Sequence, residues 1–270
     1  AFEGGLLLAF LLTFSGQALG QGGTWTTKSP MPTAHFGAAS GVSNGQVYVV
    51  GGNGYPPNEH STANEVYDPG TNSWATKASA LTPRAYAGAG EIAGKLYVAG
   101  GCIASNCSHL TGILEVYDPA TNTWATKAPM PTARAFPAVG AIDGKLYVVG
   151  GGGLDPLSTL EVYDPHTDTW ATQASAPTPT VGAATGVIDG KLYVAGGSNS
   201  SGYLATVEAY DPVTNTWTTK ASMPTPRGTP AGGVRGGRGR ASSGAGWYGA
   251  RCDLDQRLAY GRVSSGCPDC

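Results

Sequence analysis

Four basic side chains recur within three residues of a loop proline: His35, Arg84, Arg134 and Arg227. Each stands where a loop such as Met130-Pro131-Thr132-Ala133-Arg134 runs into a stretch of small and apolar residues. An arginine fork can grip a carboxylate through two parallel hydrogen bonds, so several at one place could hold an acidic ligand. The same side chains could equally bond the carbonyls of their own loops. Pro179-Thr180-Val181 breaks the series, because it offers no arginine. A second cluster is Cys102-Ile103-Ala104-Ser105-Asn106-Cys107, with His109 close behind. Two thiols and an imidazole are three zinc ligands, but a structural zinc site wants four and no fourth is evident. A local disulfide between Cys102 and Cys107 is the expectation. His60, in the polar stretch Asn53-Gly54-Tyr55-Pro56-Pro57-Asn58-Glu59-His60, and His166 share no ligand spacing with the rest. No catalytic residues, metal or cofactor are expected.

These side chains ride on a repeat. Trp25, Trp74, Trp124, Trp170 and Trp217 are separated by 49, 50, 46 and 47 residues. The pairs Gly51-Gly52, Gly100-Gly101, Gly150-Gly151 and Gly196-Gly197 keep the same interval, as do Tyr-Asp-Pro turns beginning at Tyr67, Tyr117, Tyr163 and Tyr210. Self-similarity at this period marks a repeat architecture. One unit reads as four strands. Ala135–Ile142 is small and apolar, Asp143-Gly144 is a two-residue hairpin turn, and Lys145–Val149 is a buried strand ending in glycines. In the first unit Asn64–Tyr67 is a third strand, Asp68–Asn72 a turn with a proline and a left-handed asparagine, and Ser73–Lys77 an outer strand. Such a sheet has two apolar faces and must stack on its neighbours, which gives an all-β propeller. The tryptophans are expected to be buried between the blades.

The motifs resemble those of kelch-repeat proteins. The matching segments include Lys95-Leu96-Tyr97-Val98 before a diglycine, Val116-Tyr117-Asp118-Pro119, and Asn122-Thr123-Trp124, over about residues 24–230. The resemblance implies a kelch-type β-propeller with four complete four-stranded blades in residues 21–222. It also implies an orphan outer strand at Thr24–Lys28, a fifth repeat begun at 223–234, and so an incomplete ring. It places His35, Arg84, Arg134 and Arg227 around one opening of the central channel, on the face of the loops that follow each diglycine. The function it suggests is a recognition scaffold for a protein, peptide or glycan, with an acidic ligand suited to those basic side chains. The alternative is a carbohydrate-active enzyme of the galactose-oxidase or sialic-acid-mutarotase kind. The first needs two tyrosines and two histidines on copper, and no histidine pair is evident here.

Composition bounds the remainder. The chain has 270 residues, 42 of them glycine, and only 13% are charged, which disfavours long amphipathic helices. Residues 1–234 carry a net charge of −5 and residues 235–270 a net of +3. An acidic repeat region has no surface suited to phosphate backbones, so nucleic acid is not an expected partner. Residues 1–20, with the apolar run Leu6–Phe14 and small residues after it, read as a signal peptide lacking its front end. The mature chain is then secreted, periplasmic or held at a cell surface, with no membrane segment once the signal is removed. Residues 235–270, opening Arg235-Gly236-Gly237-Arg238-Gly239-Arg240, continue no strand of the repeat. A change of reading frame is the favoured reading. Codons compatible with Asp255–Ala259, read one base later, restore the Asn-x-Trp signature; a disordered arginine/glycine tail is the alternative.

Overall fold

The computed structural model describes residues 25–54, 59–104, 107–153, 155–230 and 232. The expected signal peptide, the arginine-rich tail and Cys252, Cys267 and Cys270 lie outside the described residues, as do Thr24, Ala231, Gly233 and Val234.

Four antiparallel meanders follow one another. Blade I comprises β1 (Ala39–Ser43), β2 (Gln46–Val50), β3 (Asn64–Asp68) and β4 (Ser73–Thr76). Blade II comprises β5 (Gly88–Ile92), β6 (Lys95–Ala99), β7 (Leu114–Asp118) and β8 (Thr123–Lys127). Blade III comprises β9 (Ala138–Ile142), β10 (Lys145–Val149), β11 (Leu160–Asp164) and β12 (Thr169–Gln173). Blade IV comprises β13 (Ala184–Ile188), β14 (Lys191–Ala195), β17 (Val207–Asp211) and β18 (Thr216–Thr219), with the short hairpin β15 (Ser198–Asn199) and β16 (Gly202–Tyr203) between its second and third strands. The described residues contain no α-helix. The innermost strands pack in succession, β1 on β5, β5 on β9 and β9 on β13. No comparable contact brings β13 back to β1 among the described residues.

Three apolar cores fill the three junctions. Between blades II and III, Ile92, Tyr97, Leu114 and Val116 meet Val139, Leu146, Val148 and Tyr163. The other two junctions repeat this with equivalent residues. Each leucine of a second strand enters a gap left by a glycine in the preceding blade. A Cβ on Gly41 would lie 2.5 Å from Leu96, on Gly90 2.6 Å from Leu146, and on Gly140 2.5 Å from Leu192. Burying one such leucine contributes roughly 1.5–3 kcal/mol.

The repeated motifs form the polar clips of these junctions. Tyr117 donates its hydroxyl to Asn122 Oδ1 at 2.7 Å, the same oxygen accepts the Ala78 N–H of the preceding blade at 2.9 Å, and Trp124 Nε1–H donates to the Ala78 carbonyl at 2.7 Å. Asp168 with Trp170 on Ala128, and Asn215 with Trp217 on Ala174, repeat the arrangement. Asn72, Asn122, Asp168 and Asn215 all hold the left-handed backbone, at φ 53–54°, which these short polar residues tolerate.

Trp124, Trp170 and Trp217 pack, partly buried, against the cores between the blades, and Trp74 is partly buried as well. Tyr117, Tyr163 and Tyr210 lie deeper, at 0%, 0% and 1%. Two expectations need correction. Trp25 is 99% exposed rather than buried. Nor do residues 25–30 form a strand; Ser29 instead takes the clip position on blade I, bonding Asn72 and accepting from Trp74.

Candidate functional site

The basic series has a different role from ligand capture. Arg84 and Arg134 are 2% and 0% exposed and point into their own blades. Arg84 pairs with Glu115 at 3.0 Å and donates to the carbonyls of Ile113 and Val98. Arg134 pairs with Glu161 at 2.7 Å and donates to Gly150 and Thr159. Burial presses both guanidiniums below their ordinary pKa, and the facing carboxylates oppose that shift. His35 occupies the equivalent place in blade I, its side chain 2% exposed, with Nε2 3.6 Å from Glu65 Oε2. In blade IV the place belongs to Thr180, and Glu208 is held instead by the Thr178 hydroxyl at 2.6 Å. Buried against these carboxylates, the Arg84, Arg134 and His35 side chains do not face a ligand at the channel opening. Only Arg227 of the four is exposed.

The backbone at these positions explains the diglycines. Gly52 N–H donates to the Arg84 carbonyl, Gly101 to Arg134, Gly151 to Thr180 and Gly197 to Arg227. A Cβ on Gly51, Gly100 or Gly150 would lie 2.4–2.6 Å from the same carbonyls. Arg84 and Arg134 therefore each tie their blade to the one before through the main chain and to their own third strand through the side chain. Glu65, Glu115, Glu161 and Glu208 are the residues missed at first reading. The signal was available: a charged residue repeats inside an apolar strand directly before Val-Tyr-Asp or Ala-Tyr-Asp. Buried charges are paired, and His35, Arg84 and Arg134 stand in step with the first three of them.

What faces the opening is aromatic. Two residues beyond His35, Arg84, Arg134 and Thr180 stand Gly37, Tyr86, Phe136 and Gly182, all left-handed, with φ of 68°, 59°, 54° and 67°. Tyr86 stacks on Phe136 with ring centroids 4.3 Å apart, and Phe36, 47% exposed, meets Tyr86 edge-on at 5.7 Å. Main-chain bonds run round the rim from Tyr86 N–H to Gly37, from Phe136 to Tyr86 and from Gly182 to Phe136. Burial raises the Tyr86 phenol, which also accepts from Asn53 Nδ2 at 3.3 Å. Non-glycine residues at positive φ carry roughly 1–3 kcal/mol of strain, and here that strain sits at two of the four equivalent places. The loops after the diglycines meet this rim through bridges Phe36 to Asn53, Ala85 to Cys102, Ala135 to Gly152 and Val181 to Ser198. The loop of blade II is closed by a Cys102–Cys107 disulfide, and His60 Nε2 lies 3.1 Å from the Ala104 carbonyl of that loop.

Inside the rim lies a cavity of about 60 Å³ lined by small residues including Ala38, Ser40, Ala87, Pro137 and Gly182. Drug-sized ligand pockets occupy about 300–1,000 Å³, so this space suits a side chain rather than a whole small molecule. Among the described residues no three His, Cys, Asp or Glu side chains converge as a metal site would require. The repeated tyrosines are spent on packing and clips.

Comparison with known proteins agrees with this geometry. The kelch motif model matches residues 34–79, 83–131, 133–177 and 179–224. An F-box/kelch-repeat protein of Arabidopsis thaliana is 41% identical over 78 residues, a match covering 29% of this chain and 20% of that protein. The chain thus spans a fifth of that relative's length. The solved structure of YjhT superposes with a TM-score of 0.62 at 23% identity, over 75% of this chain and 69% of that one. At that identity the likeness speaks for the fold alone.

Proposed function

For a chain that belongs to the kelch family, we propose that the four-bladed array is a protein-recognition scaffold whose binding surface is the aromatic rim and its flanking loops. The observation carrying this reading is the Phe36–Tyr86–Phe136 file, in which Tyr86 and Phe136 are held at strained backbone angles where blades I and IV have glycine. Strain retained at an opening, rather than in a core, is characteristic of functional positions. Loops supported by a rigid sheet scaffold supply the rest of such a surface.

A glycan is the second reading, because a sugar ring can lie on the same aromatic faces. The carbohydrate-active enzyme alternative gains no supporting observation. We also read the chain as exported, on the strength of the apolar run at 6–14 and the Cys102–Cys107 bond, since disulfides persist in oxidising compartments.

The test is hydrogen exchange. The full chain is used to select binders from displayed random peptides, and exchange is measured with and without the strongest binder. Slowed exchange should concentrate at residues 35–38, 84–88 and 134–138 and in the adjoining loops. Protection confined to the outer strands or the blade flanks would overturn the assignment.

A further inference from the structure

Blade I differs from its neighbours at the buried carboxylate of its third strand. Glu115 and Glu161 face guanidiniums, which keep their charge throughout the pH range of a folded protein. Glu208 has no cation but accepts from the Thr178 hydroxyl at 2.6 Å. Glu65 has neither. Its side chain is 4% exposed, its Oε2 makes no hydrogen bond among the described residues, and the imidazole of His35 faces it at 3.6 Å. Neither ring nitrogen of His35 makes a hydrogen bond there either. At 3.6 Å the two side chains are joined by charge attraction and not by a hydrogen bond.

The other titratable groups around this pair are engaged elsewhere. β1 and β4 carry none, and on β2 and β3 Tyr48 donates to Gln46, Tyr67 donates to Asn72 and Asp68 accepts from Gln46. From blade II, Arg84 is turned to Glu115, Tyr86 meets Asn53, Glu91 accepts from the Gly94 N–H and Lys95 pairs with Asp118. His60 lies against the Ala104 carbonyl. Among the described residues Glu65 has no ion-pair partner besides His35.

We propose that blade I is the pH-sensitive blade of the array: an imidazolium at His35 neutralises Glu65, and loss of that proton strands a buried carboxylate and loosens the blade. Histidine is the side chain whose charge changes near neutral pH, whereas an arginine in the same place does not titrate. Folded, the pair holds one proton between its two side chains. Apart and in water, glutamate is ionised above about pH 4.3 and histidine is neutral above about pH 6.5. Opening blade I above that pH therefore releases the proton, so the stability it supplies is present in mild acid and lost as pH rises. One proton released shifts the opening equilibrium by at most about tenfold per pH unit. Phe36 follows His35 directly and its main chain pairs with Asn53, so the loosened region includes the approach to the rim.

The experiment is hydrogen exchange on the full chain from about pH 6 to about pH 8, the range in which histidine changes charge. Protection factors, which remove the intrinsic pH dependence of exchange, are compared blade by blade. In wild type, protection at Ala39–Ser43, Gln46–Val50 and Asn64–Asp68 should fall about three- to tenfold per pH unit relative to blades II and III. His35→Arg copies blades II and III and should hold blade I level with them. Glu65→Gln leaves a buried imidazole facing a neutral amide, where charging it is unfavourable, so the fall should vanish or reverse. His60, His109 and His166 remain in both variants, so a slope arising from them would persist. Wild-type protection in blade I that is level with pH, or the wild-type slope retained in His35→Arg, would overturn the proposal. Should His35→Arg not fold, Glu65→Gln decides, and a slope of wild-type sign and size in that variant would overturn it equally.

Discussion

Glu161 and Arg134 state the residue-scale logic most fully. A carboxylate 1% exposed is tolerable only because a guanidinium lies 2.7 Å away and Thr132 donates from the other side. Removing one partner of a buried pair is costlier than the pair is stabilising, about 3–5 kcal/mol, because the survivor remains charged in a poor solvent. Arg134→Ala should therefore lower stability by about that amount in denaturant or thermal unfolding. A shift under about 1 kcal/mol would place Arg134 among residues with no structural duty. The basic series was visible in the sequence, but its direction was not. The spacing of Arg84 and Arg134 from their prolines is the same whether they face a channel or a third strand, and only the glutamate in that strand distinguishes the two. The rim was harder to see. Gly37, Tyr86, Phe136 and Gly182 share a position but not a residue type, so nothing periodic drew attention to them.

At the scale of the element, the motifs describe junctions rather than strands. The diglycine exists because the next blade's carbonyl comes too close for a side chain, and the Asn-x-Trp pair because both side chains grip one residue of the preceding blade. That is why strand order, turn positions and blade count could be read from the sequence, while the exposure of Trp25, which has no preceding described blade to pack on, could not. Periodicity identifies an equivalent position without saying on which side of the rim it falls. Gly100 offers a test. It combines φ of 69° with an ideal Cβ 2.4 Å from the Arg134 carbonyl. Left-handed backbone alone costs a non-glycine residue about 1–2 kcal/mol, and the clash adds to it. Gly100→Ala should destabilise by more than about 2 kcal/mol, whereas Gly144→Ala, where nothing lies within 4 Å, should cost only the backbone term. Equal losses at the two sites would mean that the close approach between blades II and III is not formed in solution.

The described blades set these junctions in series, each resting on the next through a leucine, a clip and a main-chain carbonyl, that of Arg84, Arg134 or Thr180. Residues 223–230 continue the pattern on blade IV. The Arg227 carbonyl accepts from Gly197 as Arg134 does from Gly101, and Met223 packs at Gly196. Arg227 differs only in having no described third strand with a glutamate to receive its side chain, and it remains exposed. It is thus the member of the original basic series still able to meet a ligand, which allows the two accounts of the opening to be compared on one molecule. The deciding measurement is calorimetric titration of one selected peptide into wild type, Arg227→Ala and Tyr86→Gly/Phe136→Gly. Recognition by the aromatic rim predicts affinity within about threefold of wild type for Arg227→Ala and a loss of at least about tenfold, 1.4 kcal/mol, for the double variant. The reverse pattern, with binding lost at Arg227 and kept without the two rings, would contradict the account.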